Sequence, residues 1–375
     1  MTLREFIDLC VSRLAPLYPE PEAKAIGFRL LEFYLEIPSY KCISDPDFPI
    51  LSDNVDEATD PAVPSRADIR QIRHDPSRQV RQDPSRHARL DRASEMLEAL
   101  DELTTGRPLQ YVLSFTEFCG RRFKVGEGCL IPRPETEELV SRIIEDLCSE
   151  EDVANGDTPS VMPGSTPSVM PGSTPSVMPG LTGHLEAPVG EPFNILDICT
   201  GSGCIAWSLA AEFPDAMVYG CDLSDAALRY ACRQRIKLHG ARPIFFTADV
   251  LADPPAGLPQ FDVIVANPPY ICDSERAAMR PNVLNFEPAE ALFVPDDDPL
   301  KYYRAIARWA SALLRRPAAA TPDATSAATV SSETPASGRI YLEINERFGP
   351  DVAALFPGSR ILQDVSGRDR FVVLP

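Results

Sequence analysis

Apolar residues recur at three- and four-residue spacing near the amino terminus: Phe6, Leu9, Cys10 and Leu14, then Ala25, Phe28, Leu30, Leu31 and Tyr34 after a proline-containing break at 19–22. That period predicts a small helical unit over residues 1–55. Between about 56 and 92 Asp, Pro, Ser and Arg take over, and Asp75-Pro76-Ser77-Arg78 is repeated as Asp83-Pro84-Ser85-Arg86. So polar a stretch between helices predicts a disordered loop insertion. Helical spacing resumes near 93 with Ala93, Met96, Leu97, Leu100 and Leu103, which closes an amino-terminal helical domain over 1–105.

Residues 106–130 read as a hairpin linker: Phe115, Phe118, Phe123 and Val125 are interleaved with Gly120, Gly126 and Gly128. Leu130-Ile131-Pro132-Arg133-Pro134-Glu135-Thr136 then leads rigidly into a helix over about 135–149. Thr-Pro-Ser-Val-Met-Pro-Gly occurs three times, from 158, 166 and 174. Proline and glycine at that density exclude helix and sheet, so 151–190 is expected to be a linker-like insertion.

After 192 short apolar runs alternate with helical stretches. Strands are predicted at 193–199, 216–222, 243–249, 261–266, 339–345, 359–365 and 370–375, with helices near 204–213, 225–238, 299–315 and 348–355. Alternation of this kind predicts an α/β fold, a Rossmann-like sheet covered on both faces. The turn Ser366-Gly367-Arg368-Asp369 is too short for a crossover, so the last two strands should pair antiparallel. The Ala/Thr/Ser/Pro run at 317–337 is a third insertion in this second domain, 131–375.

The net charge of −19 and pI near 4.7 argue against long-range attraction to nucleic acid or an anionic membrane. No apolar run reaches the length of a membrane span, and the start of the chain lacks the layout of a signal peptide. The ten cysteines form no C-x-x-C pair, which suits reduced thiols and a cytoplasmic location. Only His239 of the four histidines falls in an expected folded element, leaving little for a zinc site or a His-based triad.

Candidate chemistry gathers at the ends of the expected strands. Asp197-Ile198-Cys199-Thr200-Gly201-Ser202-Gly203 links a strand to a helix, where a glycine turn lets a ligand approach the backbone. Asp222 ends the next strand at the offset of a ribose-binding acid, and Asp249-Val250 closes the third. Nicotinamide and S-adenosylmethionine sites share this layout. Asp197 would repel a pyrophosphate but would help opposite a methionine amino group, so a methyl donor is the consistent reading. Asn267-Pro268-Pro269-Tyr270 ends the fourth strand. The Asn carboxamide oxygen and a prolyl carbonyl can accept the two N–H bonds of a planar NH2 group while the Tyr ring covers its face.

These motifs resemble the release-factor glutamine N5-methyltransferase family (PrmC/HemK) across most of the chain outside the insertions. Leu130-Ile131-Pro132-Arg133-Pro134-Glu135-Thr136-Glu137 is similar to the family's segment leading into the catalytic domain, and Gly106-Arg107-Pro108-Leu109-Gln110-Tyr111 to its linker. Asn282-Val283-Leu284-Asn285-Phe286-Glu287-Pro288, followed by Ala291-Leu292, resembles its loop after the clamp. The resemblance implies a class I S-adenosylmethionine-dependent methyltransferase with a small helical substrate-binding domain, acting on the Gln of the Gly-Gly-Gln motif of peptide-chain release factors. It further implies that Cys199 to Gly203 surround the methionine part, Asp222 the ribose, Asp249 and Val250 the adenine, and Asn267 to Tyr270 the Gln amide. A monomer and no direct nucleic-acid partner are expected. The chain departs from the family at Cys199 and Ser114, where glycine is usual. Arg133 is a candidate partner of Glu135 or of substrate, Glu287 reads as a loop anchor, and Arg368 and Arg370 as a solvated turn.

Two rival readings stand beside this one. Adenine-N6 methyltransferases share Asn-Pro-Pro-Tyr but call for a basic target-recognition surface. A non-catalytic module that binds release factors or ribosomes would be a different class of answer.

Overall fold

A run of residues buried on both sides, Asn194 to Ile198, lies in the middle of a seven-stranded sheet, and the elements around it are placed by what that strand can pair with. The computed structural model describes residues 1–51, 84–154, 192–316 and 338–375. The three expected insertions therefore lie largely outside the described residues. The chain divides into two units, Met1–Leu113 and Ser114–Pro375.

In the first unit, α1 (Leu3–Leu14) starts at a reciprocal cap. The Thr2 hydroxyl accepts from the Glu5 N–H (3.2 Å) and the Glu5 carboxylate accepts from the Thr2 N–H (2.9 Å), satisfying two otherwise orphaned donors. α2 (Glu20–Leu35) buries Ala23, Ile26, Gly27, Leu30, Leu31 and Leu35, a face rotated from the expected one, with Ala25 exposed. Gly27 explains the rotation: a Cβ there would stand 2.8 Å from Ile7 Cδ1 and 3.2 Å from Cys10 Sγ, so α1 packs against the bare backbone. After the short α3 (Lys41–Ser44) comes α4 (Pro84–Leu103), which begins at Pro84 rather than near 93. Proline at a first helical position has no N–H to lose, and Arg92 in the early turns pairs with Glu36 at 2.7 Å. α5 (Leu109–Leu113) ends the unit.

The second unit opens with a hairpin of β1 (Phe115–Phe118) and β2 (Arg121–Lys124), then α6 (Pro134–Ala154), longer than expected because no helix breaker occurs before Asn155-Gly156. The sheet elements follow as β3 (Asn194–Ile198), α7 (Cys204–Glu212), β4 (Met217–Asp222), α8 (Asp225–Arg233), β5 (Ile244–Thr247) and β6 (Val263–Ala266). A two-residue strand pair, β7 (Ile271–Cys272) with β8 (Phe293–Val294), flanks the short α9 (Pro281–Phe286). The chain closes with α10 (Lys301–Leu313), β9 (Arg339–Glu343), α11 (Gly349–Ala354), β10 (Arg360–Gln363) and β11 (Asp369–Leu374).

Strand order is β10-β11-β9-β6-β3-β4-β5. β3, β4, β5, β6 and β9 are parallel; β11 slots antiparallel between β9 and β10, as the short turn before it requires. Alternate residues feed two cores. Ile195, Val263, Val265 and Tyr341 pack with Leu139 and Ile143 of α6 and Trp207 of α7, while Leu196, Ile264, Ala266 and Leu342 pack with Ile306 and Trp309 of α10. Each fully buried large apolar side chain contributes about 1.5–3 kcal/mol, so burial on both faces fixes strand register.

α8 ends at Arg233, short of the expected 238, which leaves His239 outside any helix or strand. Gln234 is drawn into extended backbone, where its carboxamide accepts from the Lys124 N–H (2.8 Å) and donates to the Lys124 carbonyl (2.9 Å) and the Ser202 carbonyl (3.1 Å). Three hydrogen bonds to backbone outweigh one further helical turn.

Candidate active site

Strand order reverses beside β3, with β4 on one flank and β6 on the other, and open α/β sheets bind ligands at the carboxyl ends of the strands at such a point. A cleft of about 330 Å³ lies there. Cys199, Gly201, Asp222, Asp249, Val250, Asn267 and Pro269 line it. Asp197, Thr200, Ser202, Gly203, Pro268 and Tyr270 are not on that lining and stand around the groups that are.

The glycine turn is built from left-handed backbone: Cys199, Gly201 and Gly203 have φ of 61°, 56° and 79°. The Thr200 N–H donates to the Cys221 carbonyl (3.0 Å) and the Gly203 N–H to the Thr200 carbonyl (2.8 Å), which folds the turn against β4. A Cβ at Gly203 would stand 3.0 Å from Phe245 and Trp207, close enough to push them aside, in a backbone conformation that already favours glycine. Cys199 keeps the conformation glycine would take, and so does Ser114 at φ 63°. A side chain there costs about 1–2 kcal/mol.

Two carboxylates brace the turn. Asp222 accepts from the Gly201 N–H through Oδ2 and from the Ser224 N–H through Oδ1, both at 2.8 Å. Burial raises its pKa, and these backbone donors pull the other way. Asp197 is fully buried; its Oδ2 accepts from the Thr200 hydroxyl (2.5 Å) and the Ala206 N–H (3.1 Å), while Oδ1 has no partner among the described residues. Burial pushes its pKa up to about 7. An orphaned acceptor of that kind fits a ligand that brings a positive charge or an N–H donor. Asp249 is exposed and accepts from the Leu251 N–H at 2.9 Å.

On the opposite flank, Asn267 donates from Nδ2 to the Thr136 hydroxyl (3.0 Å), and Thr136 donates onward to Glu343 Oε2 (2.7 Å). The Tyr270 hydroxyl donates to Glu343 Oε1 (2.9 Å). Burial raises the pKa of Glu343 against these two donors and the charge of Arg370, and burial with the neighbouring Glu343 raises that of Tyr270. Asn267 Oδ1 and the Pro268 carbonyl accept no hydrogen bond among the described residues. Two acceptors at the end of a buried strand can hold the two N–H bonds of one planar NH2 group.

Sequence reasoning missed Thr136 as a neighbour of Asn267 and missed Glu343 altogether, because they belong to elements far along the chain. It also missed Leu223, Leu251 and Tyr302 on the cleft wall. Leu223 and Leu251 carried a usable signal: each is an apolar residue set directly after or near a strand-terminal acid, and they are 65% and 40% exposed. Glu287 does anchor a loop, accepting from the Ile131 N–H (3.0 Å) and pairing with Arg133 at 2.6 Å, so the partner of Arg133 is Glu287 and not Glu135. Arg370 differs from the expected solvated turn: it is nearly buried and donates to Asp364 at 3.3 Å, because the antiparallel β11 carries it inward, whereas Arg368 is exposed. None of the ten cysteines forms a disulfide. Among the described residues there is no cluster of metal-ligating side chains, and no helix is long and apolar enough to cross a membrane.

Residues 181–284 match the family model of the methyltransferase small domain. A release factor glutamine methyltransferase of Bacteroides thetaiotaomicron is 33% identical over 74% of this chain and 79% of its own length. Its counterpart in Flavobacterium psychrophilum is 32% identical over 72% and 76%, and that of Streptococcus pneumoniae 33% over 73% and 76%. At that identity and coverage, with a doubly wound sheet whose cleft opens where the strand order reverses, the chain belongs to the release factor glutamine methyltransferase family.

Proposed function

We propose that the protein transfers a methyl group from S-adenosylmethionine to the side-chain amide nitrogen, N5, of the Gln in the Gly-Gly-Gln motif of peptide-chain release factors. The observation that carries this reading is the pair of unused acceptors, Asn267 Oδ1 and the Pro268 carbonyl, beside a cleft whose lining residue Ile198 directly follows Asp197, with its buried unpaired carboxylate oxygen.

When bound, S-adenosylmethionine supplies an electrophilic methyl group on a positively charged sulfur. The residues present fit it: the orphaned Asp197 Oδ1 suits its amino group, Cys199 to Gly203 would hold its methionine part, and Asp222 its ribose hydroxyls. Asp249 and Val250 would meet the adenine edge, and Leu223, Leu251 and Tyr302 offer it apolar faces.

The amide nitrogen is a weak nucleophile because its lone pair is delocalised. Asn267 Oδ1 and the Pro268 carbonyl would each accept one of its N–H bonds, fixing the direction of that lone pair. Both contacts strengthen as positive charge develops on nitrogen. Pro269 and Tyr270 would wall the amide. No strong base need act beforehand, since the N–H becomes acidic as the new bond forms and its proton passes to water.

The helices of 1–105 are assigned to gripping the release factor, with 106–130 as linker. The charge of −19 suits a protein substrate better than bare nucleic acid, and free thiols suit the cytoplasm. We assign a monomer. The test is mass spectrometry of purified release factor incubated with the protein and S-adenosylmethionine, beside Asn267→Ala. The Gly-Gly-Gln peptide should become one methylene heavier only with the unaltered protein. Methylation of adenine in nucleic acid instead, or none despite cofactor binding, would overturn the reading.

A further inference from the structure

The direction of each hydrogen bond behind the clamp follows from what its members can donate. Both Glu343 oxygens accept, Oε2 from the Thr136 hydroxyl and Oε1 from the Tyr270 hydroxyl, so each hydroxyl has spent its single proton. Thr136 is then left with lone pairs alone toward Asn267 and can receive only Nδ2. The carboxamide is turned so that Oδ1 is the atom left for a ligand. Thr136 is 2% and Glu343 0% exposed, so water does not compete for either group. The backbone carbonyl of Glu343 also accepts from the Tyr303 hydroxyl at 3.0 Å, which holds the end of β9 in place, and the charge of Arg370 opposes the burial that raises the carboxyl's pKa.

From this we infer that Glu343, acting through Thr136, is the positioning residue that sets the donor–acceptor polarity of the clamp, aiming an acceptor rather than a donor at the incoming amide while holding Tyr270 with its other oxygen. The inference rests on the clamp role proposed above for Asn267. Its physical content is specific. With the chain of bonds reversed, Asn267 would present an NH2 group to the NH2 group of the substrate, and two donors repel.

Three variants and two readouts test it on the full-length protein. Thr136→Val keeps the shape and removes the acceptor for Asn267 Nδ2; Thr136→Ser keeps the hydroxyl. Glu343→Gln keeps the volume but offers one acceptor oxygen in place of two, so one hydroxyl must reverse. Thr136→Val and Glu343→Gln are expected to lower kcat on release factor by roughly tenfold to a hundredfold, the scale of a misaligned reacting group. S-adenosylmethionine affinity should stay within about twofold, and Thr136→Ser should restore most of kcat.

The second readout needs no turnover. The side-chain NH2 resonances of Asn267, assigned by their loss in Asn267→Ala, should move toward solvent-exposed values in Thr136→Val. In Thr136→Ser they should stay in place. If Glu343→Gln fails to fold, the Thr136 pair decides alone. Unchanged NH2 resonances and unchanged kcat in folded Thr136→Val would overturn the inference. Moved resonances with no methylation by the unaltered protein would instead uphold the bond polarity and overturn the functional reading it serves.

Discussion

The two flanks of the cleft are built in opposite ways. The flank formed by β3, β4 and the turn between β3 and α7 takes its groups from one stretch and holds them chiefly with backbone amides: Gly201 and Ser224 on Asp222, and Ala206 on Asp197 beside the Thr200 hydroxyl. The clamp flank takes Thr136 from α6, Asn267 from the end of β6 and Glu343 from β9, joined by side-chain bonds that span 131 and 207 residues. Backbone donors come with the fold and survive substitution of any one side chain. Side-chain relays do not, so the clamp flank should be the more fragile in catalysis and the other flank the more forgiving.

The comparison breaks most visibly at Asn267. Asn267→Ala removes an acceptor aimed at the reacting nitrogen, and kcat should fall by roughly 10²-fold or more. Cofactor affinity, measured by calorimetry, should change little. Equal losses in both would mean that the two flanks act as one site. Next in size is Asp222→Ala, expected to weaken S-adenosylmethionine binding by about ten- to a hundredfold, the scale of hydrogen bonds to a charged group, with kcat at saturating cofactor nearly intact. A loss in kcat that saturating cofactor leaves uncorrected would erase the distinction.

What was legible in the sequence follows the same division. Strand and helix positions in the second unit could be read because both faces of the sheet are buried, so apolar runs such as Val263 to Ala266 and amphipathic helices such as Lys301 to Leu313 mark themselves locally. The glycine turn was readable for the same reason. Glu343 was not, since a carboxylate closing an apolar strand shows nothing in one dimension of the hydroxyls that meet it. Helix ends set by long-range bonds were equally hidden: Gln234 stops α8 because of Lys124, 110 residues earlier. Gly27 misled the reading of α2 because glycine carries no hydrophobic signal although it forms the contact itself.

Asp197 sharpens the comparison through pH. Its pKa in the folded protein, about 7, lies above the 3.8 of an ordinary Asp, so the native state holds the proton over a range where the unfolded chain has released it. Stability of the cofactor-free protein from this group is therefore full below about pH 4 and falls as pH rises toward 7. Asp197→Asn should flatten that slope, read as the difference in Tm between pH 5 and pH 8, and should bind S-adenosylmethionine less tightly with the larger deficit at the higher pH. A variant with the same slope as the unaltered protein would show that Asp197 does not carry the proton.

The smallest expected effects concern Cys199 and Ser114, which stand in left-handed backbone at φ 61° and 63°. Relief of that conformation is worth about 1–2 kcal/mol, against about 0.5–1 kcal/mol for the extra freedom glycine gives the unfolded chain, so Ser114→Gly should stabilise by roughly 0.5–1 kcal/mol in chemical denaturation. Ser114 is exposed and loses no packing. The Cys199 side chain packs against the core shared by Leu196, Ile198 and Tyr303 and also lines the cleft, so Cys199→Gly forfeits apolar contact of about the same size as the strain it relieves. Its stability should stay near that of the unaltered protein while cofactor affinity changes. A gain as large as that of Ser114→Gly would mean the thiol contributes nothing to packing, and that the turn tolerates cysteine only because the rest of that flank is held by backbone.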